Sequence, residues 1–310
     1  MEMPRDLILA MLLPGTIALL LLAIAWRPWR RSTPVQRGHW AAPLVFALGA
    51  AVAMAGLQRY WLLPGIDSGS PVPWPVLPPV NRMLWLMVLA VPLGMVGVVD
   101  ALVPRARWWI RGPLAAAVLL IFFRVLLSRR DWPDAAACAA ITWGAWALLE
   151  PLAARLKNVV VPAGMWVAGV AVSMMLIHGT SPVLGKTAGA IAAVAGAAVV
   201  MALLSKQNVS LARGGGFVAI TLLGGILAWG YFYADERVVT LPRAIAALAI
   251  PLIGWVYFLP PLRKWKPAAR VLATIAVTFI AAAIIAGPAA MGVVELVRSQ
   301  ASGPAPYPGY

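Results

Sequence analysis

An all-α bundle that crosses a membrane about ten times is the fold class this sequence predicts. Three observations carry that prediction. Of 310 residues, 62% are hydrophobic and only 11% are charged, with a mean hydropathy of +0.87. The apolar residues gather into long runs of span length. The basic residues sit in short clusters between those runs. A soluble domain averages about 45–50% apolar and about 25% charged residues, and roughly half of any folded surface must meet water. This chain has too little polar surface for that, so its main solvent is lipid.

Ten segments follow from the runs. The first, Leu7–Trp26, is too long for the apolar core of a signal peptide, and no small-residue cleavage site follows it. It runs straight into Arg27, Arg30 and Arg31, while Glu2, Arg5 and Asp6 ahead of it are not a basic leader. It is read as an uncleaved span with an external N-terminus. Ala41–Leu63 is the second, followed by the Pro-rich external connection Pro64–Arg82, whose prolines favour a stiff extended path. Met83–Val103 carries Pro92, Gly94 and Gly97. Pro113–Ser128 is the shortest and has Arg124 near one end, where a long basic side chain can snorkel to the interface.

The remaining spans are Ala135–Leu156, Val159–His178, Pro182–Ser205, Gly216–Ala234, Val238–Leu262 and Ala268–Val297. Helix breakers recur in the last two: Pro242, Pro251 and Gly254, then Gly287 and Pro288. Residues 1–298 are thus one transmembrane domain, and 299–310 form a Pro/Gly-rich frayed tail. Five spans per half permit a 5+5 inverted repeat. Its residue support is Leu13-Pro14-Gly15 against Val161-Pro162-Ala163-Gly164.

Charge sets the expected orientation. With both termini outside, the five internal linkers hold Arg27, Arg30, Arg31 and Arg37; Arg105, Arg107 and Arg111; Arg155 and Lys157; Lys206 and Arg213; and Arg263, Lys264, Lys266 and Arg270. Those 15 basic residues face only Asp100 and Glu150, a net of +13, whereas the other side carries 10 basic and 8 acidic residues, a net of +2. That asymmetry follows the positive-inside rule, and it accounts for the total of +15 without a nucleic-acid partner. Trp26, Trp29, Trp40, Trp108, Trp109 and Trp265 lie beside the internal linkers, with Trp61, Trp85 and Trp132 beside the external ones. Indoles favour the headgroup level, so these are interface anchors.

Catalytic motifs are nearly absent. Gly185-Lys186-Thr187 resembles the end of a phosphate-binding loop, but Thr180 stands where that loop needs glycine, and the segment lies in a span. Lys206 and Arg213 have a phosphatase-like spacing without the following proline or histidines. His39 and His178 fall at opposite membrane faces and cannot share a haem or a zinc. Cys138 alone builds no disulfide and no cysteine metal site. No metal, no cofactor and no catalytic residue is expected, and an enzyme is the less favoured class.

Ionisable residues near membrane depth carry the remaining functional interest, because they are costly to bury. Lys186, His178, Arg59 and Arg243, with Asp235 and Glu236, belong to the external half. They either converge on a vestibule suited to an anionic ligand or snorkel separately to the headgroups. Gly189 and Gly196 follow Lys186 at helical spacing and form a small-residue face. On the internal side, Glu150 is read as an ion-pair partner or a proton-linked carboxylate. The leading expectation is a transporter or permease-like bundle for a small solute. Its alternative is a non-catalytic structural or assembly subunit of a membrane complex. Expected partners are the lipid bilayer and other membrane proteins or further copies of the chain, in a bacterial cytoplasmic (inner) membrane.

Overall fold

The computed structural model describes residues 12–26, 41–57, 93–99, 132–179, 182–205, 211–212, 214–233 and 239–301. Within them the chain is almost wholly helical and has no strand. The helices are α1 (Leu13–Trp26), α2 (Ala41–Leu57), α3 (Trp132–Arg155), α4 (Val160–Gly179), α5 (Pro182–Leu204) and α6 (Gly215–Tyr233). There follow α7 (Leu241–Ala249), a 3₁₀ helix (Ile250–Phe258), the four-residue α8 (Pro260–Arg263) and the long α9 (Pro267–Ala301). A further stretch, 93–99, is helical. The expected fourth span Pro113–Ser128 and the connection Pro64–Arg82 lie outside the described residues, as do 302–310 of the tail.

Six of these segments are long and apolar enough to cross a membrane: Pro133–Arg155, Val160–His178, Leu184–Leu204, Gly215–Phe232, Leu241–Phe258 and Pro267–Gly292. The protein is therefore a helical membrane protein. Lipid offers no hydrogen bonds, so a crossing segment must satisfy its own backbone, and helix is the form that does so. Local signals set the ends. Pro133 and Asp134 start α3 with a residue that needs no donor and an acid at the positive end of the helix. The Asn158 side-chain oxygen accepts the Val160 N–H at 3.0 Å and caps α4. Gly214, at φ +99°, turns the chain into α6. A side chain there would be strained and would also strike the Gly97 backbone.

The ninth expected segment, in which Pro242, Pro251 and Gly254 were the expected breakers, changes coil at Ile250. Pro251 cannot donate to the carbonyl four residues back, and the chain tightens to 3₁₀ geometry from Ile250 to Phe258. Nine α residues and nine 3₁₀ residues together rise about 31 Å, against about 27 Å for 18 α residues, and so match the roughly 30 Å hydrocarbon core. The tighter coil stacks side chains in columns every three residues. Pro251 and Gly254 form a buried column. Its slimness lets Gly164 of α4 approach the Pro251 Cα and lets Leu152 of α3 lie against Gly254.

The centre of the bundle is the α4–α5 hairpin, closed by contacts between small residues. A Cβ added at Gly169 would come within 2.9 Å of Ala192 Cα, and one at Gly185 within 2.8 Å of the Ile177 nitrogen. The Ser173 hydroxyl donates to the Gly185 carbonyl at 2.7 Å across the same seam. Of the two glycines expected to make this face, Gly189 is buried, while Gly196 meets Trp166 at ordinary contact distance. Around the hairpin, α6 packs on α3 and α2, α1 on α5, and α9 on α4 and the 3₁₀ helix.

Candidate functional site

Contacts along the helices define two ends. Gly230 of α6 touches Leu176 near the end of α4 and lies by Val239, which precedes α7. At the opposite end, Gly216 meets Leu149 of α3, Gly215 meets Ala42 of α2, and Gly97 meets Pro43. Between the ends the core is alkyl and small: Ala168, Val172, Ala188, Ile191, Ala195, Leu223 and Ile226 are all buried. Three of the buried hydroxyls turn to carbonyls of their own helix. Thr142 donates to Cys138, Thr274 to Arg270 and Thr278 to Thr274, each at 2.8 Å. Such back-bonding satisfies the hydroxyl within its own helix.

Three expected site residues share the first end. His178 closes α4, Lys186 lies in the opening turns of α5 and Arg243 in the first turn of α7. His178 and Arg243 are exposed and Lys186 is half-buried. The His178 ring lies directly on the Gly292 backbone of α9, where any Cβ would collide with it. Glu150 is half-buried near the end of α3, on the opposite end from these three. Arg59, Asp235 and Glu236 lie outside the described residues. A crevice between α3, α6 and α7, lined by Cys138, Thr142, Gly224, Tyr231 and Ala244 among others, is apolar, and none of the candidates lines it. Among the described residues no three His, Cys, Asp or Glu side chains come together as a metal site would require.

The second end holds an arrangement that the sequence reading resolved only as linkers and anchors. Three spans terminate there, at Arg155, Phe258 and Pro267. The Arg155 guanidinium sits over the Trp255 ring at 5.4 Å and that of Arg270 over the Tyr257 ring at 4.8 Å. Arg263 donates from Nε to the Phe258 carbonyl at 3.2 Å, filling an acceptor left open where the 3₁₀ helix stops. Lys157, Lys264 and Lys266 are exposed around it, as is Trp265. The signal available in the sequence was the interleaving of Arg263, Lys264, Trp265 and Lys266. The stacking partners were not readable, because they depend on the 3₁₀ coil.

No protein-family model matches this chain, and no curated protein matches it.

Proposed function

We propose that the chain is a non-catalytic assembly subunit of a membrane complex, built as a ten-span bundle with both termini outside a bacterial cytoplasmic membrane. The observation that carries this reading is the backbone-to-backbone closure at the centre. Gly169 on Ala192, Gly185 on Ser173 and Ile177, and Gly164 on Pro251 lock α4 to its neighbours on two sides. Packed interiors transmit strain and resist continuous deformation, which suits a scaffold. The orientation rests on the basic linkers, of which Arg155, Lys157, Arg263, Lys264, Lys266 and Arg270 lie at one end of the bundle. The 5+5 repeat is an arrangement this topology permits.

A transporter for a small solute is the second reading, favoured by the interrupted span at Ile250–Phe258, since transporters bind at broken helices. Native mass spectrometry of the chain extracted from its own membranes in mild detergent separates the two. A scaffold emerges in fixed stoichiometry with another membrane protein or with itself. A bare monomer that carries solute flux in proteoliposomes would replace the assembly reading with transport. Single cysteines in the Arg105–Gly112 linker, with Cys138 removed, test the orientation. Labelling from outside intact cells would reverse it.

A further inference from the structure

We propose that the end of the bundle around the 3₁₀ helix is a binding site for the phosphate headgroup of an anionic phospholipid. Three features point there. The first is charge: Arg155, Lys157, Arg263, Lys264, Lys266 and Arg270 contribute six positive charges, against which the half-buried Glu150 stands at this end of α3. The second is depth. These residues flank the ends of three spans, at Arg155, Phe258 and Pro267, which sets them at the headgroup level of one leaflet. The third is preorganisation. A loose cluster of lysines would hold only a diffuse cloud of anions, but here two guanidiniums are seated on rings of one helix. Arg155 approaches from the α3 side over Trp255, and Arg270 from the α9 side over Tyr257.

Arginine in this setting offers a planar fork of donors suited to phosphate oxygens, and ring stacking reduces the freedom it must lose on binding. Arg270 Nε is buried with no hydrogen-bond acceptor among the described residues. Trp265, 51% exposed in the turn between α8 and α9, suits the boundary where acyl chains meet headgroups. The lipid is therefore recognised by both parts: phosphate by the guanidiniums, and the glycerol–acyl boundary by the indole. Juxtamembrane basic clusters of this kind are drawn to anionic leaflets, and basic pockets between spans bind their headgroups.

The test is native mass spectrometry of the full chain in micelles doped with phosphatidylglycerol or phosphatidylcholine, with inorganic phosphate as competitor. Phosphatidylglycerol should bind in preference to phosphatidylcholine, and Arg155→Gln with Arg270→Gln should weaken its binding roughly tenfold. The Arg155→Lys, Arg270→Lys pair keeps the charge but not the fork, and should fall between. Lys264→Gln alone should cost roughly threefold or less. Circular dichroism confirms that each variant remains helical, and a pair of variants that loses helix is replaced by the lysine pair for the comparison. Equal binding of the two lipids, or undiminished binding in the glutamine pair, overturns the proposal. Displacement of the lipid by millimolar phosphate also overturns it, by showing a site for the free anion.

Discussion

Helices α4 and α9 are about equally apolar, yet 78% of the α4 span is buried against 22% of the α9 span. Hydropathy therefore does not decide which helix takes the centre. In lipid it could not, because a leucine gains little by leaving acyl chains for other leucines. Contact between small residues does decide it. On α4, Gly164 and Gly169 let Pro251 and Ala192 approach to backbone distance. On α9, a Cβ at Gly287 would meet nothing within 4 Å among the described residues, and Leu272, Ile280, Ile284 and Met291 are exposed. The centre goes to the helix whose glycines meet neighbouring backbone at Ala192 and Pro251, although α9 is the richer of the two in alanine.

That contrast can be broken most forcefully at Gly169. Gly169→Leu would drive a branched side chain into the Ala192 backbone, and should cost about 3 kcal/mol or more, seen as loss of folded protein in thermal unfolding in detergent. Phe217→Ala comes next. Phe217 is 1% exposed and meets Trp146 edge-on at 5.2 Å, so its removal should cost about 3 kcal/mol. Its counterpart on the perimeter is Phe279→Ala, a ring 46% exposed against Trp166 of α4, which should cost about 1 kcal/mol. Ser173→Ala removes the bond to the Gly185 carbonyl and should cost about 0.6 kcal/mol, the usual scale inside a bilayer. Smallest of all, Gly287→Ala on α9 should leave the melting temperature unchanged or slightly raised, because a Cβ there meets open space and alanine favours helix. A Gly287→Ala loss as large as that of Gly169→Leu would end the argument that glycines meeting backbone choose the centre.

Much of the helical layout was legible from composition alone. Val159–His178 was read where α4 spans Val160–Gly179, and Pro182–Ser205 where α5 spans Pro182–Leu204. Such boundaries are visible because lipid forces an apolar run to be a helix. The inner order of the bundle was not legible, since Gly196 and Gly169 look alike in sequence, whereas Gly169 meets the Ala192 backbone and Gly196 only the Trp166 ring. Nor did the sequence show where Pro251 would change the coil, although the proline itself was visible as a breaker. For the candidate site, opposite placement of Glu150 and His178 follows simply from chain length along α4. Arg155 and Arg270 lie 115 positions apart, and their common footing on one short helix appears only when the chain is folded.

That footing is geared to the pitch of the coil. Each residue of a 3₁₀ helix advances the side chain by about 120°, against about 100° in an α-helix. Were the stretch from Ile250 onward to relax to α geometry, Tyr257 would swing through about 140° and the nine-residue stretch would shorten by about 4.5 Å. The ring would turn out from under Arg270, and the carbonyl held by Arg263 would withdraw. The nine residues thus act as a screw thread that sets both the reach of the span and the angular seat of its cations, and neither can be changed without the other.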